Sequence, residues 1–449
     1  MRRTAAEVAA FLDAPLAGDG EAQIAGVAID SRALRPGDLF VAIPGERVDG
    51  HEFVADAARR GAAAALVRRR VDTPLAQIEV PNTIAALQAV AARERRAASF
   101  RLAAVTGSIA KTTTKELLAA LLATSFRTGA TAGSRNSQAG FPAELCNQPE
   151  GLEWFVAELG MSHAGELDRL GRVACPDVAL YTVVAPVHLE FFPGLDAIAE
   201  AKAELIPHLS RDGILVLNAA DPRVASFAPR FPGRVVRYGA PGASDLWIEE
   251  YQGRGLLGAR FTLTGPGLEI GVDWQIAGRH QANNLLAAAA CALTLGVPPD
   301  RVAPCAASAR PASRRGEVHP LASGLTVVDD SYNASPVAMH NMLELLAATP
   351  GRRVAVLGEM LELGERSADF HREVGELAGR AADIVVAVGG APARELARAA
   401  GAIDAVYVPD AESALVLLQR VLQPGDVVLV KGSRGIALDR VADGLREAR

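Results

Sequence analysis

The chain has 449 residues, half of them hydrophobic, and a formal charge of −6 at pH 7. This length exceeds what one hydrophobic core usually supports, so we expect two or three domains. The mild negative charge argues against a nucleic acid as the main partner, and any nucleotide or phosphate must be bound by a local site.

The N-terminal segment MRRTAAEVAAFLDAPL is not typical of a signal peptide, because Glu7 and Asp13 interrupt its apolar run. The apolar, alanine-rich stretches farther along, such as 285–295, are too short to span a bilayer. We therefore expect a cytoplasmic protein without membrane contact.

Short apolar runs alternate with helical stretches along the chain, and several of the runs end at Gly, Asn or Asp. The runs are LFVAI (39–43), RLAAVTG (101–107), VALYTVV (178–184), ILVLN (214–218), LTVVDD (325–330), RVAVLG (353–358), DIVVAVGG (383–390) and DVVLVKG (426–432). This pattern is typical of βα units whose parallel strands are buried on both faces. Alternation over 245–275 predicts additional antiparallel strands in the middle of the chain.

Two boundaries are indicated by proline-containing segments. A helix begins after Pro81 and precedes the strand at Leu102, and PASRRGE, from Pro311, precedes a new series of βα units. We predict three domains, with the ranges 1–82, 83–311 and 312–449.

The sharpest local motif is AVTGSIAKTTTKELLAALL (104–122), in which a strand, a short turn and a helix follow one another. In a P-loop, backbone N–H groups of such a turn bind phosphates, Lys111 adds a positive charge and the Thr112 hydroxyl binds magnesium. A P-loop usually has glycine where this chain has Ala110, and the motif alone equally fits an ordinary strand-to-helix turn. The nucleotide contacts predicted here are Gly107, Ser108, Ile109, Ala110, Lys111, Thr112 and Thr113.

Further motifs extend over nearly the whole chain. They are AIDSRALRPGDLFVAIPGERVDGHEFV (28–54), TGSIAKTTTKE (106–116), VAELGMSHAGEL (156–167), PVHLEFFPGLDAIAEAKAEL (186–205), GRHQANNLLAAAA (278–290), VDDSYNASPVAM (328–339), AVLGEMLELGERSADFHREVG (355–375) and VLVKGSRGIALDRV (428–441). In these motifs the chain resembles the Mur ligases, and within that family the members that add D-alanyl-D-alanine. The last three motifs are the most specific.

The resemblance implies an α/β protein of three domains. An N-terminal α/β domain would bind the UDP end of the substrate, a central doubly wound P-loop ATPase domain would bind ATP, and a C-terminal Rossmann-like domain would bind the dipeptide. The implied reaction joins D-alanyl-D-alanine to a UDP-N-acetylmuramoyl-tripeptide through an acyl phosphate, forms ADP and phosphate, and serves peptidoglycan precursor synthesis. A monomer is expected.

Four residues are assigned to catalysis by the resemblance. Lys111 binds the phosphates, Glu158 binds one magnesium ion and His188 lies near a second. Lys202 is carbamylated and holds the second magnesium, which requires a lowered pKa because only the neutral amine reacts with carbon dioxide. By their local sequence alone, Glu158 also fits a surface carboxylate, His188 a structural histidine and Lys202 a solvated helix lysine.

The resemblance also assigns contacts to bound molecules. Asn284 and Arg315 would contact ATP, and Asp330 would contact its ribose. The substrate contacts fall into an N-terminal and a C-terminal group, which are Ser31, Arg32, Asp49, Gly50 and His51, and Tyr332, Asn333, Lys431, Ser433 and Arg434.

Several residues depart from the family pattern around the nucleotide and metal sites. Besides Ala110, they are Ser137, Val183, Ala185, Ala220 and Arg314. Two alternatives therefore stay open: a nucleotide-binding partner protein with an eroded ATP site, and a sibling ligase that adds another amino acid. The sequence leaves open whether the third residue of the tripeptide is lysine or diaminopimelate.

Overall fold

The computed structural model describes residues 1–45, 48–401 and 404–447. Positions 46–47 of the motif at 28–54, and 402–403 and 448–449 of the predicted C-terminal domain, lie outside the described residues. No helix in the described part of the chain is both long enough and apolar enough to cross a membrane.

The N-terminal part is a small α/β unit. Its elements are β1 (Arg3–Thr4), α1 (Ala5–Phe11), β2 (Leu16–Ala17), β3 (Gln23–Ile24), β4 (Gly26–Ala28), β5 (Asp38–Val41), α2 (Val54–Arg59), β6 (Ala64–Val67) and β7 (Ala76–Glu79). Strands β4 to β7 are parallel, β2 adds an antiparallel edge, and the sheet order is β2-β7-β6-β5-β4. Because β4 and β5 are parallel neighbours, the segments that follow them meet at one edge of the sheet.

The central part begins with a long helix and contains two sheets. Its elements are α3 (Thr83–Ala97), β8 (Arg101–Thr106), α4 (Lys111–Ala123), β9 (Thr128–Ala130), α5 (Gly140–Cys146), β10 (Trp154–Glu158), α6 (Glu166–Ala174), β11 (Val178–Tyr181), α7 (Leu195–Ala203), β12 (Ile214–Asn218), α8 (Pro222–Ala225), β13 (Arg234–Tyr238), β14 (Trp247–Gly253), β15 (Ala259–Gly265), β16 (Leu268–Trp274), α9 (Arg279–Thr294) and α10 (Val302–Ser308). The main sheet is parallel, in the order β13-β12-β11-β8-β10-β9, and β14 to β16 form the predicted antiparallel sheet.

The central sheet is covered on both faces, as a doubly wound fold requires. Helices α3, α5, α6 and α7 contribute to a core that continues into the N-terminal unit, while α4, α9 and α10 pack with the antiparallel strands on the other face. The strand order reverses at β8, and ligands of open α/β sheets bind beyond the carboxyl ends of the strands at such a point. The loop after β8 is the predicted phosphate loop.

The C-terminal part is a second doubly wound unit. Its elements are β17 (Glu317–Pro320), β18 (Thr326–Asp329), α11 (Pro336–Ala347), β19 (Arg353–Gly358), α12 (Ser367–Ala381), β20 (Ile384–Val388), α13 (Ala391–Ala399), β21 (Asp404–Val408), α14 (Ala411–Val421), β22 (Val427–Lys431) and α15 (Asp439–Glu447). The sheet order is β17-β18-β22-β19-β20-β21, with cores on both faces. Only βα units were expected here, but β17 pairs antiparallel with β18 as a hairpin.

All eight apolar runs named from the sequence coincide with strands, which confirms the α/β prediction. The predicted boundaries fall between sheets: β7 ends at Glu79 and α3 begins at Thr83, and α10 ends at Ser308 before β17 begins at Glu317. The domain ranges themselves stay a prediction, because the N-terminal and central units share one continuous core.

Candidate active site

The loop between β8 and α4 has the backbone shape of a phosphate-binding loop. Ala110 is the residue before the helix and has φ 71° and ψ −6°, in the left-handed region. The backbone of Ala110 is therefore left-handed and does not have helical angles. A left-handed conformation costs a residue with a Cβ about 1–2 kcal/mol, so this position stores strain that glycine would avoid.

Lys111 folds back over the same loop. Its Nζ donates to the carbonyl oxygens of Gly107 and Ser108, each at 3.0 Å. Desolvation lowers the pKa of Lys111; the Glu158 carboxylate opposes this shift and the charge of Arg315 adds to it. The Lys111 ammonium lies at the start of α4, where the backbone N–H groups of the helix also favour a bound anion.

Glu158 ends β10 and is 1% exposed, so its interpretation as a surface carboxylate is wrong. Its Oε1 accepts a hydrogen bond from Asn136 Nδ2 at 2.5 Å, while its buried Oε2 has no hydrogen-bond partner. Thr131 Oγ1 accepts from the Glu158 backbone N–H at 3.1 Å and fixes the end of the strand. A buried carboxylate oxygen without a partner is costly, and a hard cation is a ligand that would satisfy it.

Lys202 lies near the end of α7 and is 2% exposed, so its interpretation as a solvated lysine is also wrong. Its carbonyl accepts a hydrogen bond from the Tyr181 hydroxyl at 2.9 Å, but no described residue forms a hydrogen bond with its Nζ. Burial lowers the pKa of Lys202 well below its ordinary value, and the positive charge of Lys111 lowers it further. This shift favours the neutral amine, which is the form that carbamylation needs.

His188 joins the central and C-terminal parts across the cleft. It has φ 56° and its Nδ1 is hydrogen-bonded to the carboxylate of Glu362, which precedes α12. This hydrogen bond holds the pKa of Glu362 below its ordinary value. The backbone N–H of Glu190 also donates to the carbonyl of Glu362 at 3.2 Å, so the two loops are in direct contact.

Arg315 and Tyr332 form a second connection between these parts. Arg315 Nη2 donates to Thr112 Oγ1 at 3.0 Å, and its guanidinium lies 4.1 Å from the centre of the Tyr332 ring. The Tyr332 hydroxyl is hydrogen-bonded to Ser134, in the loop between β9 and α5. Arg434 lies over the same ring at 5.7 Å. The guanidinium of Arg315, from the C-terminal part, is thus hydrogen-bonded to the Thr112 hydroxyl, which is predicted to bind magnesium.

The remaining predicted site residues of the C-terminal part are held by hydrogen bonds to other residues of that part. Lys431 Nζ donates to Asp330 Oδ2 at 2.5 Å and to the carbonyl of Asn333 at 2.9 Å. Ser433 Oγ accepts from the backbone N–H of Leu361 at 3.0 Å. These contacts place the three specific C-terminal motifs side by side at the carboxyl ends of β18, β19 and β22.

One cavity of about 810 Å³ collects most of the predicted residues. Those that line it are Ser108, Ile109, Ala110, Lys111, Thr112, Thr113, Glu158, His188, Asn284, Arg315, Asp330, Tyr332, Asn333, Lys431, Ser433 and Arg434. Gly107 and Lys202 do not line it. Gly107, with φ 145°, lies against Thr182, so a Cβ there would collide with the threonine hydroxyl.

The N-terminal group lies outside this cavity, at the carboxyl ends of β4 and β5. Arg32 is exposed and paired with Asp30 at 2.7 Å, which lowers the pKa of Asp30 to about 2. His51 is buried, with Nδ1 bonded to Asp49 at 2.6 Å and Nε2 accepting from the backbone N–H of Arg68 at 2.8 Å. Both nitrogens of His51 are therefore engaged in holding its loop, and its contact with substrate stays a prediction, as do those of Ser31 and Gly50.

Comparisons with known proteins support the resemblance to the Mur ligases that the sequence motifs indicated. Models of the Mur ligase middle domain and of the Mur ligase glutamate ligase domain match residues 105–292 and 314–434, and a Mur ligase catalytic domain model matches 23–120. The Mycobacterium tuberculosis H37Rv protein named UDP-N-acetylmuramoyl-tripeptide–D-alanyl-D-alanine ligase is 36% identical, over 93% of this chain and 91% of the relative.

The chain belongs to the Mur ligase family. The Escherichia coli K12 protein of the same name is 35% identical to this Mur ligase, over 94% of this chain and 93% of the relative. A crystal structure of MurF from Acinetobacter baumannii matches with a TM-score of 0.89 and 30% identity, over 100% of this chain and 99% of that one. MurF from Thermotoga maritima in complex with ADP matches with a TM-score of 0.80 and 31% identity, over 94% and 97%.

At two positions that depart from the family pattern, Val183 and Ala185, the backbone of this Mur ligase makes the hydrogen bonds to the phosphate loop. The carbonyl of Val183 accepts from the N–H of Ser108 at 2.7 Å, and the carbonyl of Ala185 accepts from the Ser108 hydroxyl at 3.1 Å. Because carbonyl groups make both contacts, the side chains at these positions do not decide whether the loop is held. This observation weakens the alternative of an eroded ATP site.

Sequence reasoning missed Ser134, Asn136 and Glu362 as residues of the cleft. Each contacts a predicted site residue, namely Tyr332, Glu158 and His188 respectively. Ser134 and Asn136 lie in a loop outside the quoted motifs, Glu362 lies in the motif at 355–375 without an assigned role, and two of the three contacts join residues more than 170 positions apart. Only the packing of the parallel strands brings these loops together.

Proposed function

We propose that this Mur ligase joins D-alanyl-D-alanine to a UDP-N-acetylmuramoyl-tripeptide with conversion of ATP to ADP and phosphate, in peptidoglycan precursor synthesis. The observation that carries the proposal is the full-length likeness to relatives that bear this activity in their names. The cavity supports it, because the phosphate loop and the three C-terminal motifs meet there.

We infer that ATP binds with its phosphates against the loop after β8. The N–H groups at the start of α4 and the ammonium of Lys111 face this position. Arg315 donates a hydrogen bond to Thr112, and from this position its guanidinium could donate to a bound phosphate instead. Asn284 and Asp330 line the same cavity, where they would meet the base and the ribose.

The two magnesium ions that we propose would be held by residues that follow β8, β10 and β11, and by Lys202 of α7. The unpartnered Oε2 of Glu158 and the Thr112 hydroxyl are oxygen ligands for one ion, and His188 and a carbamylated Lys202 would serve the other. Bound magnesium would neutralise the negative charge that builds up when a carboxylate approaches a triphosphate.

The environment of Lys202 supports the proposal that this residue is carbamylated. The neutral Nζ attacks carbon dioxide, a C–N bond forms, and one proton leaves to water, so that a buried amine becomes an anion. That anion would lie on the same side of the loop as Lys111, whose charge favours it. The carbamate also removes the electrostatic conflict between the two lysines.

The ligation then proceeds in two displacements on the substrates. An oxygen of the tripeptide carboxylate attacks the γ-phosphorus and expels ADP, and the dipeptide amine attacks the resulting acyl phosphate and expels phosphate with loss of a proton. Lys111 and Arg315 supply positive charge on the phosphate side. Lys431, Ser433 and Arg434 come from the C-terminal part, where they would hold the dipeptide carboxylate when the domains close.

The test is a ligase assay on the purified chain with ATP, magnesium, the UDP-linked tripeptide and D-alanyl-D-alanine. The expected products are the pentapeptide, identified by mass, with ADP and phosphate. AMP with pyrophosphate would contradict the acyl-phosphate route. Parallel reactions with lysine- and diaminopimelate-containing tripeptides decide the third residue.

The same assay separates the alternatives. Phosphate release that depends on the dipeptide supports the proposal, whereas tight ATP binding without turnover supports a nucleotide-binding partner protein. Release that depends on another amino acid supports a sibling ligase. Light scattering of the same sample tests the monomer prediction.

A further inference from the structure

The hairpin β17–β18 contains a group of side chains outside the ATP cavity. Glu317 pairs directly with Asp329 across the two strands, and His319 lies two residues after Glu317 on the same face of β17. One ligand atom from each of these three residues lies within 4.8 Å of the other two. The register of the hairpin therefore brings two carboxylates and one imidazole to a single point.

Two of these three groups have buried atoms without a hydrogen-bond partner. Asp329 is 0% exposed; its Oδ1 accepts from the backbone N–H and hydroxyl of Ser331, at 3.1 and 2.6 Å, whereas its Oδ2 has no partner. The buried Nε2 of His319 also has none, because Glu317 Oε2 is 4.0 Å away. Most buried polar atoms have a partner, so two orphans at one point indicate a missing ligand.

The charge around the hairpin is unbalanced in the same direction. Arg314 is the cation that pairs with this region, and it faces Asp329 at 3.6 Å, Asp443 at 2.9 Å and Asp439 at 4.0 Å. Its backbone N–H also donates to Glu317 Oε2 at 2.8 Å. Arg314 thus meets four carboxylates, three of them through its guanidinium, and it approaches the orphan oxygen Asp329 Oδ2 only at 3.6 Å, beyond hydrogen-bond distance. Desolvation raises the pKa of Asp329, which a nearby cation would reverse.

We propose that Glu317, His319 and Asp329 bind a divalent transition-metal cation of the zinc type. Imidazole nitrogen and carboxylate oxygen together suit zinc, which binds both at about 2.0–2.2 Å, so modest side-chain rotations would close the site. Three protein ligands leave a further position for water. Magnesium, which prefers oxygen ligands in an octahedron, is a poorer fit for the imidazole.

The position of the site gives the cation a structural role beside the nucleotide. Arg315 lies just before β17, and Asp330 immediately follows β18. A cation that ties β17 to β18 would fix both residues at the edge of the ATP cavity. This inference does not depend on the proposed ligase reaction, because it concerns only metal binding by the hairpin.

The test is metal binding by the full chain after chelator treatment. We expect zinc, titrated against a chromophoric competing chelator with magnesium in large excess, to bind at one site that His319→Ala weakens by more than about 10-fold. Cobalt bound in place of zinc should give visible absorption bands that change in His319→Ala. Glu317→Gln is the second variant, because it keeps the shape of the side chain and leaves the buried Asp329 in place.

Three matched variants exclude other zinc sites. His340→Ala removes an exposed histidine that pairs with Glu344 at 3.0 Å without a third ligand, Cys175→Ser removes the exposed thiol, and His188→Ala removes the histidine of the ATP cavity. Each should leave the zinc affinity and the cobalt spectrum of the hairpin site unchanged. If His319→Ala and Glu317→Gln bind zinc as the parent does, or the parent binds none, the proposal is overturned and the two orphan atoms are paired by side-chain rotation alone.

Discussion

Two fully buried lysines of the central part, Lys115 and Lys202, have opposite surroundings. Lys115 uses all three ammonium hydrogens, donating to Glu116 Oε1 at 2.5 Å and to the carbonyls of Thr131 and Gly133 at 2.6 and 3.0 Å. Lys202 Nζ has no hydrogen bond to any described residue, and burial lowers its pKa strongly. The same residue type at the same depth is therefore a fully hydrogen-bonded cation in one place and an amine without a hydrogen bond to any described residue in the other.

The composition of the chain sharpens this contrast. Only four of the 46 basic residues are lysines, Lys111, Lys115, Lys202 and Lys431, and the remainder are arginines. Lys111 and Lys431 line the cavity, and Lys115 and Lys202 are buried in the central part. Arginine therefore supplies nearly all the basic charge of this chain, and only the four lysines offer a compact ammonium or a readily deprotonated amine.

The largest expected effect is on catalysis at Lys202. Lys202→Met should lower kcat by about 10²–10³-fold, because it removes the amine that we propose becomes an anionic metal ligand. Added bicarbonate should not restore activity, while a short-chain acid such as acetate should restore part of it. In the parent, ¹³C-labelled carbon dioxide should give a carbamate resonance that is missing from the variant. Full activity of Lys202→Met at low bicarbonate would remove Lys202 from the mechanism.

Lys115→Met should have the opposite profile, with its main effect on stability. The variant leaves the carbonyls of Thr131 and Gly133 without their buried donor, which should lower the free energy of unfolding by about 1–3 kcal/mol in urea titrations. Lys202→Met should raise it, because an unpartnered polar group leaves the interior. If both variants shift stability in the same direction, the contrast between the two lysines fails.

The pH dependence of stability should also separate the two sites. Because the folded pKa of Lys202 is lowered from its ordinary value of 10.5, the unfolded chain binds one more proton than the folded chain between these two values. The free energy of unfolding of the parent should therefore rise with pH, by up to about 1.4 kcal/mol per unit in this window. Lys202→Met should lack this slope in carbon-dioxide-depleted buffer, while Lys115→Met should retain it.

The smallest effect is expected at Ala110, next to Lys111. Ala110→Gly relieves the left-handed strain but adds freedom to the unfolded chain, so a net gain of about 0.5–1 kcal/mol in stability is expected. Removing the Cβ should also tighten ATP binding in titration calorimetry, with binding of the UDP-linked substrate unchanged. Ala120→Gly, on the exposed face of the same helix, is the matched control and should cost about 1 kcal/mol. An unchanged or weaker ATP affinity would show that the loop accommodates alanine.

Much of the fold could be predicted from the sequence because buried parallel strands produce continuous apolar runs. Strand β12 coincides with the run at 214–218, and β19 with the run at 353–358. The antiparallel strand β17 was missed, because EVHP alternates only weakly and ends at a proline. Its pairing with β18 depends on tertiary contacts that a local pattern does not contain.

The sequence predicted most of the residues that line the candidate site, but it did not predict how deeply they are buried or what surrounds them. Local sequence suggested that Glu158 and Lys202 were surface residues, since glutamate and lysine are rarely buried. Glu158 is buried because it ends β10 inside the central sheet, and Lys202 is buried because α7 packs in the core beside that sheet. A short stretch of sequence does not contain this tertiary information. The conformation of Ala110 was equally hidden, because alanine is a good helix former and its left-handed angle occurs in the turn between β8 and α4.

The burial of the lysines has a practical consequence for the behaviour of the chain toward proteases. An enzyme that cleaves only after lysine has four target bonds, and none of the four side chains in the described structure is exposed. Cleavage by such an enzyme therefore requires the central or C-terminal part to open, whereas trypsin also meets the many surface arginines. Lysine-specific digestion thus reports opening of the cleft, and slower digestion in the presence of a nucleotide would measure how firmly that ligand holds it shut.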